Sequence, residues 1–320
     1  MPFIDNILKY RSVAVIGLEK NCGKTECLNY IIRRISPQER KICVTSIGLD
    51  GESLDQVTET RKPEIILKKD MLFSTSEQHY RQRRLVSEVM DISNESSALG
   101  RIITARVVTE GKIILSGPSS TVSLKRWMNG NERLGVGLTI VDGALSRRSS
   151  ASPAITDAMI LATGAALSSN LPNLVIQSAF AVEMIKLPLL DTDFEETEEN
   201  TVCYSSMTGF QDIPEGCRRV RISGALTDMF LKRIASSKKA DGLEVVVKDF
   251  TRIFVKIGTY RAFTSAGGKL RVEKQSKLLA VCVNPLAPNG YKMNSDELCD
   301  KLSEKIGLPV YDIVKNDYEA

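Results

Sequence analysis

Apolar residues in this chain fall into short β-branched runs separated by helical stretches, an alternation that predicts an α/β fold built on a parallel sheet. Strand-like runs occupy Val13–Ile16, Ile42–Thr45, Ile102–Val108, Ile113–Leu115 and Leu138–Val141. Between the first two, Lys24–Ile35 sets Leu28, Ile31, Ile32 and Ile35 on one helical face. A second apolar helix is expected around Leu174–Met184. After a break the pattern resumes with strands at Arg219–Ile222, Glu244–Lys248, Arg252–Lys256 and Leu278–Val283, and a helix from Leu226 to Ala235. The last helix carries its own punctuation: Asn294 caps it with Glu297 three residues on, Leu298, Leu302 and Ile306 share a face, and Gly307 ends it before a strand at Val310–Val314.

The break is Asp191–Asn200, with six acids in ten residues. Such a charge run reads as an exposed linker. It predicts a first domain over 1–190, a linker over 191–200 and a smaller α/β domain over 201–320. No internal repeat is visible. Residues 158–182 carry no charge over a length that would cross a bilayer, but Ser168, Ser169, Asn170, Pro172 and Asn173 lie at the centre. Two buried elements joined by a loop explain the stretch better than a membrane span.

Composition narrows the function classes. With 320 residues, 42% hydrophobic and 26% charged, the chain has material for a sizeable core. A net charge of +4 is nearly balanced, and the basic clusters at Arg81–Arg84 and Arg218/Arg219/Arg221 read as solvated surface rather than a nucleic-acid footprint. Seven scattered cysteines without a CxxC pair, and the single histidine His79, lack the ligand set of a zinc site. The odd cysteine count suits a reducing compartment, and Asp5, Lys9 and Arg11 interrupt any signal-peptide core. A cytoplasmic, soluble protein is expected.

The informative segment is Val13-Ala-Val-Ile-Gly-Leu-Glu-Lys-Asn-Cys-Gly-Lys-Thr25. A buried strand, a tight turn and an amphipathic helix in succession make a phosphate cradle: backbone N–H groups and the helix N-terminus face the anion, a lysine reaches the outer phosphates, and a hydroxyl binds magnesium. Lys24 fills the lysine role and Thr25 the hydroxyl role, while Gly23 permits close backbone approach. The usual first glycine would fall at Leu18; Gly17 stands one residue early. Gly17, Asn21, Cys22 and Glu26 complete the candidate binding segment. Lys20 either adds a second positive charge or is a surface lysine. A carboxylate must hold the metal, and Asp142, ending the run Leu138-Thr-Ile-Val, is placed at the ligand edge of a parallel sheet. Asp50, after the run that ends at Thr45, is a second candidate for metal or catalysis, with Glu52 a weaker one. Ser116-Gly-Pro-Ser-Ser120 reads as a helix start with Pro118 in the first turn and serine caps. No NKxD guanine-reading motif is present, which favours ATP over GTP. The loop Asn284-Pro-Leu-Ala-Pro-Asn-Gly290 either contributes to a base pocket or is a plain proline-rich loop.

GLEKNCGKTE at 17–26 resembles the P-loops of the SIMIBI class, among them dethiobiotin synthetase, MinD-type ATPases and molybdopterin-guanine dinucleotide accessory proteins. TSIGLDGE at 45–52, VDGALSR at 141–147, TDAMILATGA at 156–165, and the later SGALT, KDFTRIFV and VNPLAPNGY segments together resemble the P-loop subunit of lysine 5,6-aminomutase reactivases. That resemblance implies a P-loop NTPase-like fold and a magnesium-dependent NTPase. It would work with a MutS-related ATPase subunit to reactivate an adenosylcobalamin-dependent aminomutase of lysine or ornithine. It also implies that Lys24, Thr25, Asp50 and Asp142 hold the roles given above, with switch segments at 48–55 and 143–153. The alternative is a small-molecule ligase or kinase of the dethiobiotin-synthetase type, with Asp50, Ser116 and Arg147 lining a substrate pocket.

Overall fold

The structure, a computed structural model, describes residues 3–47, 65–144, 152–205, 213–236 and 239–315. The chain forms two compact units, one of Met1–Ala151, Ile155–Ala179 and Leu278–Ala320, the other of Ser152–Ala154 and Phe180–Lys277.

In the first unit the order is α1 (Phe3–Ile7), β1 (Ser12–Gly17), α2 (Lys24–Arg34), β2 (Ile42–Ser46), β3 (Ile65–Leu67), β4 (Leu72–Ser76) and α3 (Glu77–Arg81). Then come β5 (Arg84–Ser97), β6 (Gly100–Ile113), α4 (Thr121–Asn131), β7 (Leu138–Ala144), β8 (Ala158–Gly164) and α5 (Leu171–Ile185), whose residues from Phe180 on belong to the second unit. The second unit holds β9 (Thr201–Tyr204), β10 (Arg219–Ile222), β11 (Leu226–Thr227), α6 (Asp228–Ser236), β12 (Glu244–Val247), β13 (Ile253–Phe254), α7 (Ile257–Ser265) and β14 (Lys269–Val272). The chain then returns to the first unit with β15 (Lys277–Asn284), α8 (Ser295–Ile306) and β16 (Val310–Asp312).

The first unit is α/β with a mixed, mostly parallel sheet ordered β16-β15-β8-β1-β7-β2-β4-β6-β3, and β5 pairs with β6. β1 lies between β7 and β8, parallel to both. Successive side chains of a strand go to opposite faces, and the core follows that rule. Val44 and Ile140 pack with Leu28, Ile31 and Ile32 of α2 on one face. Their neighbours Cys43 and Val141 pack with Leu124 and Trp127 of α4 on the other. Trp127 Nε1 donates to Thr104 Oγ1 at 3.1 Å, which satisfies the one polar atom that this ring brings into the core.

Several expectations are revised. The sheet is not wholly parallel, because β6 runs antiparallel to β3, β4 and β5. The runs at 102–108 and 113–115 are not two strands: the first lies within β6, which ends at Ile113, and Ile114 and Leu115 follow it outside any strand; within β6, Gly111 passes where a Cβ would come within 2.1 Å of Arg84 O. The expected C-terminal domain over 201–320 is divided: β15 and β16 hydrogen-bond into the first sheet. Pro118 precedes the helix rather than sitting in its first turn; Ser120 is the cap and accepts from Ser123 N at 3.0 Å. The uncharged stretch 158–182 resolves into β8 and α5, and among the described residues no helix is long and apolar enough to cross a membrane.

The acidic run is also more than a linker. In the second unit, β14-β12-β10-β9 form a four-stranded parallel sheet. Arg219, at the start of β10, is only 1% exposed. Its Nε donates to Glu244 Oε2 at 2.7 Å, its Nη1 to Glu196 Oε1 at 2.7 Å and its Nη2 to Asp191 O at 2.9 Å. The guanidinium also lies 4.2 Å from the Phe194 ring centre. Asp191, Phe194 and Glu196 thus clamp a buried cation that would otherwise be costly. Hydrogen bonds from Arg221 and then Arg219 hold the Glu196 carboxyl below its ordinary range. That contribution to stability is full above the ordinary glutamate range and is lost as pH falls through the lowered folded-state value. Arg219→Ala leaves Glu244 with Arg271 alone, whose Nε donates to Glu244 Oε1 at 3.1 Å, and should cost about 3 kcal/mol, the low end for a broken buried pair, in urea unfolding followed by circular dichroism. A loss below about 1 kcal/mol, the range of an exposed pair, would contradict this account.

Candidate functional site

β1 is buried along its whole length and ends at Gly17, level with Ala144 of β7 and Ala162 of β8. The chain there turns through residues 18–23 into α2. Leu18 N donates to Ala162 O at 2.9 Å, and the Cys22 thiol contacts the same oxygen at 3.3 Å, so the turn is stapled to the tip of β8. A Cβ at Gly17 would come within 2.5 Å of Cys22 Sγ, so any larger residue there must displace that thiol. Asn21 and Gly23 adopt left-handed backbone, with φ of 61° and 91°. Left-handed residues this close curl the chain tightly, the arrangement in which successive N–H groups make an anion-binding concavity. Burial raises the Cys22 thiol above its ordinary range, so the turn is lined by a neutral thiol rather than a thiolate.

α2 opens at Lys24 with no side-chain cap. Its first intrahelical bond from this end is Cys27 N to Gly23 O, at 2.9 Å. The first-turn amides and the positive end of the helix dipole therefore face the turn. Lys20, Asn21 and Glu26 are exposed, while Lys24 and Thr25 are half-buried. Lys20 N is bonded to Glu19 Oε1 at 2.9 Å.

Lys24 and Asp142 are brought together. Lys24 Nζ lies 2.7 Å from Asp142 Oδ1, with the two side chains 23% and 15% exposed. Oδ1 is itself closed to solvent and receives no hydrogen bond of good direction, so the pair is a close ion contact without a directed bond. Asp142 is held between Val15 of β1 and Ser46 of β2 in the ladder. Its carbonyl accepts from Ser46 Oγ at 3.1 Å and from Ile47 N at 3.2 Å. The aspartate backbone is thus fixed, and the lysine arrives on a flexible stem.

A partner that the sequence left open comes from the far end of the chain. Asn284, last residue of β15, packs on Gly23, where a Cβ would come within 2.6 Å of Asn284 Cβ. Its carbonyl accepts from Ala165 N at 2.9 Å and lies where a Cβ on Gly164 would approach within 2.0 Å. The signal was present as an apolar strand ending in Asn-Pro, but nothing local tells that this strand returns to the first sheet.

Ser116 is not at an open surface. Its hydroxyl is fully buried, donates to Ser76 Oγ at 2.7 Å, accepts from Ser76 N at 3.0 Å and meets His79 Nδ1 at 2.9 Å. His79 is accordingly part of a buried polar cluster with Thr75, Ser76 and Ser116. Asp50, Glu52, Arg147 and segment 48–55 lie outside the described residues, as does most of 143–153. Among the described residues no group of three or more His, Cys, Asp or Glu is placed to hold a metal.

Comparison with known protein families, curated proteins and solved structures finds no match in any of the three.

Gly23→Ala must strain a left-handed residue and displace Asn284, which should lower stability by about 1–3 kcal/mol. Thermal unfolding measures it, and an unchanged melting temperature would show that β15 does not press on the turn.

Proposed function

We propose that the chain binds a magnesium nucleoside triphosphate in the Gly17–Thr25 turn, as a P-loop NTPase-like protein, and uses it to act on a partner protein. The observation that supports this most is the meeting of Lys24 and Asp142 at the mouth of an uncapped helix N-terminus. A cation for the outer phosphates and a carboxylate for a metal stand side by side where backbone amides converge on an anion. Lys24 holds the outer phosphate oxygens. Gly17, Lys20, Asn21, Cys22, Gly23 and Glu26 form the wall of the cradle.

The donor set fits magnesium, which takes hard oxygens from one or two carboxylates and completes its shell with phosphates and water. Asp142 offers an oxygen shut off from solvent with no directed hydrogen bond, and Thr25 offers a hydroxyl one residue after Lys24. When bound, the ion would neutralise charge on the outer phosphates. Asp50 remains our second acid for the metal or for orienting the attacking group. ATP is our choice of nucleotide, with GTP second, because no NKxD motif is present. Asn284 packs on Gly23 of the turn, and it and the loop after it, with exposed Leu286 and Tyr291, are our choice for the base.

For the partner we rely on the resemblance to lysine 5,6-aminomutase reactivases. A radical enzyme that loses its adenosyl group keeps a dead corrinoid in a closed site. Nucleotide binding opens that site only if the reactivase grips open and closed mutase with different affinity in its different nucleotide states. The proposed partners are a MutS-related ATPase subunit and an adenosylcobalamin-dependent aminomutase. The ligase reading gains nothing, because Ser116, its one described pocket residue, has its hydroxyl enclosed by Ser76, Thr75 and His79.

Lys24→Ala should weaken magnesium-ATP binding at least about tenfold, the scale of one charge-assisted hydrogen bond; calorimetry showing unchanged affinity would refute the cradle. A mutase inactivated by turnover should recover when given this chain, the partner ATPase, ATP, magnesium and fresh adenosylcobalamin. Recovery that is absent, or equal with the Lys24 variant, would remove the reactivase role.

A further inference from the structure

We infer that the second unit carries a docking surface for an acidic segment of a partner protein with apolar anchors, built from Met229 and Phe254 and the cations Lys232, Arg252 and Lys256. The surface shares no residue with the turn at 17–25 and goes beyond the nucleotide reading. Among the described residues Met229 is the most exposed large apolar side chain, at 70%, and Phe254 is 53% exposed. Neither is needed inside. α6 already buries Phe230, Leu231 and Ile234, and β13 buries Ile253. The two elements meet here, because Thr227, directly before α6, is level with Phe254 in the β11–β13 ladder.

The charges beside these two side chains are mostly positive. Met229, Lys232 and Arg233 stand at i, i+3 and i+4 on the exposed face of α6. After Thr251 the chain is extended, and Arg252, Phe254 and Lys256 are exposed while Ile253 is buried, so alternate residues share the outer side. The one acid among them, Asp228, is already engaged: its Oδ1 accepts from Lys256 N at 2.8 Å. That bond, then the Thr259 hydroxyl and the charges of Lys256 and Lys232, hold its carboxyl below the ordinary range. Elsewhere in this unit arginines are matched by acids. Arg219 and Arg271 meet Glu244, Arg221 meets Glu196 and Glu273, and Arg261 meets Glu183. Among the described residues no carboxylate lies within ion-pair distance of the Lys232, Arg252 or Lys256 side chains. Apolar anchors set between unmatched cations fit a segment whose carboxylates are interleaved with apolar side chains. A nucleic-acid backbone offers no apolar group to Met229. A continuous anionic lipid surface would press on Asp228 as well as on the cations, whereas spaced carboxylates avoid it.

The test is selection of short random peptides, displayed on phage, against the full chain, followed by fluorescence anisotropy of the enriched peptides without nucleotide. The enriched peptides should carry Asp or Glu beside Leu, Phe or Trp. Met229→Glu should weaken their binding about tenfold, the scale of one buried apolar side chain. It sets an acid in the first turn of α6, where the helix dipole favours one, so the fold is kept. The double variant Lys232→Glu, Arg252→Glu should lose the weakening that added salt causes in wild type. Val122→Glu makes the same change in the first turn of α4, at a side chain 59% exposed, and should leave binding unchanged. Because no nucleotide is present, failure of the turn to take ATP does not alter these outcomes. A selection without an acidic consensus, or peptides that bind Met229→Glu as tightly as wild type, would overturn the proposal. So would tighter binding to phosphatidylserine vesicles or duplex DNA than to any peptide, abolished by Arg252→Glu.

Discussion

β1 is enclosed on both faces and both edges. Its side chains are in the core, and its backbone is laddered to β7 and β8. A strand so enclosed has only one free feature, the point where the chain must leave it. In a parallel neighbourhood that exit coincides with the exits of β2, β7 and β8. The register sets Gly17 level with Ala144 and Ala162, and Ser46 level with Asp142. The placement of Asp142 near Lys24 follows from this alignment. A different strand order would put the acid and the lysine apart, whatever their local sequence.

Two glycines then allow the layers beyond the strand tips to close. Gly23 and Gly164 both lie against Asn284, at distances that a methyl group would violate. The segment that makes this contact is separated from the turn by the whole second unit. That dependence explains why the first unit is discontinuous in sequence: β15 is the neighbour of β8 in the sheet, and its last residue is packed on the turn. The second unit has its own organising charge in Arg219, whose acidic partners Glu196 and Glu244 come from before and after it in the chain.

Local pattern carried much of this. The buried run of β1, the amphipathic α2 and the strand that ends near Asp142 were all legible because each is a short stretch with one dominant periodicity. The cap of the last helix was readable for the same reason: Asn294 Oδ1 accepts from Glu297 N at 3.1 Å, and Gly307 closes it at φ 64°. What escaped was long-range or edge structure. β5 is an edge strand whose exposed positions mix polar residues with Val86, Val89 and Ile92 and whose ladder with β6 slips at several points, so no clean alternation marks it. The run at 191–200 looked like a linker because its acids are charged, and only the buried Arg219 shows what they neutralise. The bond between Ser116 and His79 joins α3 to the loop after β6, a pairing that no spacing announces.

The central claim is that Lys24 and Asp142 meet in order to divide a magnesium nucleotide between them. The most direct test is a crystal structure of the chain grown with a non-hydrolysable ATP analogue and manganese, whose anomalous signal locates the ion. The account predicts triphosphate within the 17–25 turn, Lys24 Nζ on phosphate oxygen, and the manganese on Asp142 with the lysine contact broken. A nucleotide bound elsewhere, or one bound in the turn with Lys24 still on Asp142 and no metal between carboxylate and phosphate, would contradict it.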